Sequence, residues 1–311
     1  MKTNFTSRRM FIVSLLSFFA FMLISCESSA LKTSATITST VIDTTQTTVT
    51  STSSTIIDQL FSDEPGIIPQ IFAPNFISTD ANHEFAGTFS PDYMYYFFTR
   101  RALEGNNRLF FTEYIDGSWT QPELSPISED VEEFEPFITP NGTTMYFGSM
   151  RDNHDDYVFY QSTFVNGNWQ TPVYVENGLN QEFAMYVSVS NLGNIYFTGL
   201  NGIYVIKNIN GEFQPREAVG IHGSHPYIAP DESYMLFDRQ VGTANYIYIV
   251  FKSQGYWGTP RKLGSDINLY GAEQICASVT SDGKYLFFSR FVSGTSDIFW
   301  VDADYLDQYR Y

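Results

Sequence analysis

Four glutamates, Glu84, Glu133, Glu182 and Glu273, recur at one register of a repeating sequence, and Gly223 stands in the same place in a further copy; the intervals are 49, 49, 41 and 50 residues. Carboxylates brought to a similar height around one channel repel one another, and some keep their protons unless a cation or a basic side chain sits among them. Such a ring is a candidate site for Ca2+, another divalent cation or a basic peptide. The competing reading is that each Glu caps backbone N–H groups between units. It is favoured, because a residue repeated in every unit normally builds the unit. Histidine breaks the pattern: His222 and His225 flank Gly223, and His83 precedes Glu84. In a five-unit ring these starts lie near one mouth, where His83, His222 and His225 could ligate a metal through imidazole nitrogen. So loose a spacing specifies a site weakly, and a non-metal role is favoured.

Other chemistry is sparse. Asp152-Asn153-His154-Asp155-Asp156 is an acidic loop without the Gly and distal Glu of a calcium hand, and it reads as a solvated tip. There is no Gly-x-Ser-x-Gly and no Cys beside a plausible base, so no catalytic nucleophile is expected. The chain has two cysteines. Cys26 lies in a targeting segment, which leaves Cys276 alone in the folded domain, without a disulfide partner and expected as a buried, inert thiol. Paired carboxylates for glycoside hydrolysis stay open, because Asp and Glu are abundant and such a pair must only flank one cleft.

The elements that would position these residues repeat with them. After each register position comes a turn: Ser90-Pro91-Asp92-Tyr93, Thr139-Pro140-Asn141-Gly142, Ser190-Asn191-Leu192-Gly193, Ala229-Pro230-Asp231-Glu232 and Ser281-Asp282-Gly283-Lys284. Each turn leads into an aromatic strand, such as Tyr95-Tyr96-Phe97-Phe98 or Tyr285-Leu286-Phe287-Phe288. A third strand follows, and then an outer strand of the type Gly117-Ser118-Trp119-Thr120-Gln121-Pro122. Four strands every 40–50 residues predict an all-β propeller of five four-stranded blades. The fifth copy lacks its outer strand, and Ile71-Phe72-Ala73-Pro74, with the spacing of Trp119 to Pro122, can supply it from the N-terminus. A six-bladed alternative needs a whole blade in residues 57–80, where only one strand is visible.

Ser90-Pro91-Asp92, the run Asp282-Gly283-Lys284-Tyr285-Leu286-Phe287-Phe288-Ser289-Arg290 and the Gly-x-Trp-x-x-Pro outer strands resemble the WD-like propeller repeats of the TolB-like family over roughly residues 66–305. The resemblance implies a periplasmic or surface propeller that binds partners, without implying one activity. The third copy departs from it by losing Ser-Pro-Asp-Gly, and the fourth by carrying Gly223 in place of Glu.

Residues 1–25 read as an export signal: Lys2, Arg8 and Arg9, then an apolar run from Met10 to Ile24. Leu23-Ile24-Ser25-Cys26 resembles the lipobox of bacterial lipoproteins, which implies acylation of Cys26 and a membrane anchor. Residues 26–56, rich in Ser and Thr, read as a flexible tether, and residues 57–311 as the propeller domain. The net charge of −17 argues against a nucleic-acid partner, which needs a basic stripe. The expectation is a monomeric, lipid-anchored propeller in the bacterial cell envelope, facing periplasm or cell surface. It would act as a non-catalytic scaffold for an envelope protein or glycan, with no cofactor beyond such a cation. The alternative is a glycan-cleaving enzyme using channel carboxylates.

Overall fold

The computed structural model describes residues 64–154, 156–292 and 294–310, apart from the side chain of Asn153. Cys26, the Ser/Thr-rich stretch and the boundary at residue 57 lie outside the described residues.

The strands group into five blades, as the repeats predict. Blade 1 runs Asn82–Phe89, Tyr95–Ala102, Arg108–Ile115 and Glu123–Leu124, from the axis outward. Blade 2 is Glu133–Ile138, Thr144–Ser149, Val158–Val165 and Val173–Tyr174. Blade 3 is Ala184–Val189, Ile195–Gly199, Gly202–Ile206 and Glu217–Ala218, and blade 4 is Ser224–Ile228, Tyr234–Val241, Ala244–Ser253 and Arg261–Lys262. In blade 5, Glu273–Val279, Tyr285–Val292 and Thr295–Asp302 are completed by Gln70–Ile71, antiparallel, with Gln70 opposite Trp300. The middle of each second strand is buried. A neighbouring blade covers each of their faces, which is why they read as continuous aromatic runs rather than alternating ones.

Closure by the N-terminal strand therefore holds, but its register differs from the expectation. Ile71 occupies the place of Leu124, not of Trp119: Ile71 pairs with Phe299 as Leu124 pairs with Phe110. The Gly-x-Trp segment is a hairpin on the end of the third strand, with Trp119 opposite Tyr114. Proline has no N–H for the ladder. Pro122 accordingly separates that hairpin from Glu123–Leu124, which pairs further along the third strand. Phe72 anchors the closure. It is fully buried, its N–H donates to the Ile298 carbonyl at 2.8 Å, and its ring meets Phe89, Tyr96, Phe287 and Trp300 edge-on at 4.8–6.1 Å.

The core lies in the seams between blades. Phe97, Leu109, Ile138 and Phe147 fill the seam between blades 1 and 2, and Leu236, Ile247, Leu286 and Phe288 that between blades 4 and 5. One arginine per blade sits over two rings of its own sheet: Arg100 on Phe98 and Phe110, Arg151 on Phe147 and Tyr160, Arg216 on Phe197 and Tyr204, Arg239 on Phe237 and Tyr248, and Arg290 on Phe288 and Phe299, at 4.3–5.3 Å. Arg100, for example, donates back to the carbonyls of Phe76 and Ile77 in the connection from blade 5. Cation–π contact and carbonyl hydrogen bonds together tie each blade to the connection that precedes it. No helix of the described residues is long and apolar enough to cross a membrane.

Candidate functional site

The recurrent glutamates divide into two kinds. Glu84 and Glu133 are fully buried. Glu84 accepts from the Thr79 N–H and hydroxyl and from Arg100 Nε at 2.9 Å. Glu133 accepts from Ser128 Oγ, the Glu129 N–H and Arg151 Nε at 3.0 Å. Both thus tie the start of an inner strand to the preceding connection. Burial raises the Glu84 carboxyl above its ordinary value although Thr79 and Arg100 pull it down. Glu182 and Glu273 do not share this register. Strand pairing places Ala184 opposite Gly199 and Gln274 opposite Arg290, the positions that match Glu84 opposite Arg100. Glu182 instead precedes its strand, with an exposed carboxylate 3.9 Å from Arg216. Glu273 lies one residue early, half-buried, its pKa raised by burial.

Gly223 has a steric reason. A Cβ there would stand 2.4 Å from the Phe237 ring and 2.8 Å from the Asp238 carbonyl oxygen. With no carboxylate available, Arg239 donates to the His222 carbonyl instead.

Two residues beyond the register of Glu84 the inner strands converge on the axis. Each carries a bulge there, and at each bulge a non-glycine residue adopts a left-handed conformation: Ala86 (φ 51°), Glu135 (58°), Tyr186 (49°), His225 (49°) and Cys276 (54°). That conformation costs on the order of 1–2 kcal/mol per residue, and the preceding blade offsets it. The Ala86 N–H donates to Ser289 Oγ (3.1 Å), that of Glu135 to Thr99 Oγ1 (2.8 Å), that of His225 to Thr198 Oγ1 (2.9 Å) and that of Cys276 to Asp238 Oδ1 (3.4 Å). The corresponding residue before Tyr186 is Gly148, packed against the Phe134 ring. A bulge of this kind re-aims one side chain. Ala86, Tyr186 and Cys276 pack together, the Tyr186 ring stands edge-on to His225 at 5.3 Å, and all five residues are buried, so they plug the channel.

Two carboxylates lie within this plug. His225 Nδ1 is 2.6 Å from Asp238 Oδ1, and its Nε2 is 3.3 Å from Glu135 Oε1. Burial opposes an imidazolium here, but the two carboxylates outweigh it and raise the His225 pKa to about 10. Burial and the same two carboxylates push the Cys276 thiol well up, and the sulfur is buried as expected. One imidazole faces two carboxylates, and among the described residues Glu135 Oε2 and Asp238 Oδ2 have no hydrogen-bond partner.

Above the plug the channel opens as a narrow mouth bordered by all five blades. Phe89, Pro91, Phe137, Pro140, Ile228 and Pro230 give it an apolar rim, Thr88, Ser278 and Ser281 supply hydroxyls, and Tyr186 forms part of its floor. No Asp or Glu of the described residues lines it.

Of the three histidines considered together, only His225 reaches the axis. His83 is buried beside Arg101, burial lowering its pKa first and Arg101 second, and His222 is exposed. The sequence reading missed Glu135 and Asp238. Asp238 carries a signal: after Leu236-Phe237 it stands where Thr99, Thr198 and Ser289 carry hydroxyls. Glu135 was hidden in Glu132-Glu133-Phe134-Glu135, where the repeat draws attention to its neighbour.

No protein-family model and no curated protein matches the chain. Among solved structures it is similar to putative TolB from Agrobacterium tumefaciens, at 15% identity over 72% of this chain and 78% of that one, with a TM-score of 0.46. It is also similar to TolB from Acinetobacter baumannii, at 18% over 80% of this chain and 54% of that one, with a TM-score of 0.41. The xyloglucan-locus protein GH43B from Bacteroides ovatus gives 15% over 75% and 54%, with a TM-score of 0.47. Likeness at this level assigns no activity to the chain.

Proposed function

We propose that this protein is a non-catalytic binding module of the bacterial cell envelope, held on a membrane by acylation of Cys26, whose propeller takes a protein or glycan at the channel mouth. The observation that carries this reading is the separation of acid from opening. The two carboxylates that converge at the axis, Glu135 and Asp238, are buried and directed at one imidazole, while the mouth is apolar and hydroxylic, with no Asp or Glu among the described residues that line it. A glycosidase needs two carboxyl groups flanking a substrate-filled cleft, roughly 5–10 Å apart. A narrow apolar rim with a few hydroxyls instead suits recognition by burial plus orienting hydrogen bonds. The acidic net charge adds a preference for neutral or basic ligands.

The test is capture. The full chain, immobilised, is exposed to envelope extract and to solubilised envelope glycans, beside a Ser278→Arg variant whose guanidinium would occupy the mouth. The wild type is expected to retain a discrete protein or glycan that the variant does not. Equal recovery by both, or release of new reducing ends from a retained glycan, would sink the proposal.

A further inference from the structure

We propose that Glu135, His225 and Cys276 form a buried site for one Zn2+ ion at the propeller axis, with Asp238 positioning the imidazole. This does not depend on what the mouth binds. The three residues come from the inner strands of blades 2, 4 and 5, and their left-handed bulges turn them inward. One carboxylate oxygen, one imidazole nitrogen and the thiol sulfur all lie within 4.8 Å of one another. Ligands held 2.0–2.3 Å from a shared tetrahedral ion stand roughly 3.3–3.8 Å apart, and His225 Nε2 is already 3.3 Å from Glu135 Oε1.

Two further features point to a ligand at this place. Glu135 is 5% exposed, yet its Oε2 has no partner among the described residues, whereas buried polar atoms are ordinarily satisfied. Asp238 engages His225 Nδ1 at 2.6 Å, which leaves Nε2 as the nitrogen directed at Glu135. A carboxylate behind a ligating histidine is the usual means of fixing tautomer and ring orientation at a zinc centre. The donor set selects the metal: a thiol with an imidazole and one carboxylate suits Zn2+, whereas Ca2+ and Mg2+ take all-oxygen shells.

The exchange balances. Bonds form from the metal to Nε2, to Sγ and to a Glu135 oxygen; the Nε2–H and S–H bonds break and two protons leave to solvent, while Nδ1–H stays on Asp238. No electron moves, and two released protons match the charge of the ion. Because all three donors are buried, the metal is expected to enter during folding rather than through the finished ring.

The experiment uses tag-free full chain carrying Cys26→Ala, so that Cys276 is the only thiol, produced with Zn2+ or with Co2+ as a spectroscopic substitute. The expected result is one metal per chain by elemental analysis and, for Co2+, a thiolate-to-cobalt charge-transfer band. Cys276→Ser should lose that band while near-ultraviolet circular dichroism shows a folded propeller. Asp238→Asn should keep it but weaken metal affinity about 10–100-fold. If Cys276→Ser does not fold, the parent spectrum decides alone. Folded chain without stoichiometric metal, or with Co2+ but no thiolate band, overturns the assignment, as does a band that survives in Cys276→Ser.

Discussion

The plug makes a sharp energetic prediction in metal-free protein, unfolded in urea and refolded with a chelator present. His225→Gln removes the one positive charge between Asp238 and Glu135, which approach its ring nitrogens at 2.6 and 3.3 Å. Losing one partner of a buried ion pair typically costs about 3–5 kcal/mol, because the other charge is left uncompensated. Glu135→Gln alone leaves the His225–Asp238 pair neutral as a unit and should cost less, about 1–3 kcal/mol. The informative quantity is the double variant. With His225 gone, Glu135 is a second carboxylate in the same dry space as Asp238, and replacing it should recover part of the loss. Urea unfolding of the four proteins at neutral pH should therefore give a double variant more stable than the sum of the singles, by about 1–3 kcal/mol. Strict additivity, or a His225→Gln cost under about 1 kcal/mol, would refute the claim that the imidazolium neutralises the plug.

Three other outcomes are expected. Phe72→Ala should cost about 3–5 kcal/mol in urea unfolding, because its fully buried ring closes the seam between blades 5 and 1; a loss below about 1 kcal/mol would contradict closure by the N-terminal strand. Burial works against the charged Glu232, but Lys252, Asn194 and Ser190 together hold its pKa below the ordinary value. Its contribution, about 1 kcal/mol, should be intact above about pH 4.5 and vanish as pH falls through the folded value. Glu232→Gln should flatten the acid limb of a stability–pH curve there, and an unchanged limb would count against the pairing with Lys252. Cys26→Ala should abolish incorporation of labelled palmitate and release the protein from the membrane fraction, and persistence of label would remove the proposed anchor.

The blades were legible because they rest on local signals. Turn residues such as Ser90-Pro91-Asp92 act within a few positions, and aromatic runs such as Tyr95 to Phe98 mark strands covered on both faces. The closing strand was legible as a missing piece, though its proline suggested the wrong partner: in blade 1 Pro122 sits before the outer pairing, not at its end. The axis was much less legible. Ala86, Glu135, Tyr186, His225 and Cys276 share a backbone conformation but no side-chain chemistry, and no glycine announces their positive φ. In all but Tyr186 the conformation is supported from another blade, through Ser289, Thr99, Thr198 and Asp238. Glu182 and Glu273 were drawn into a common register by residue type, while the ladder gives those positions to Ala184 and Gln274. His225 was visible because it broke a repeat, and Asp238 broke one too, standing where three other blades carry a hydroxyl; Glu135 was visible only once the ring had closed.

The central claim, that the mouth is a binding surface and not a catalytic one, is tested most directly by the affinity of the captured envelope component for wild type and Ser278→Arg. Binding that is saturable, stoichiometric with the chain and weakened at least tenfold by the substitution, with the ligand recovered chemically unchanged, is the predicted result. Equal affinity for the two proteins, or recovery of a cleaved ligand, would contradict it.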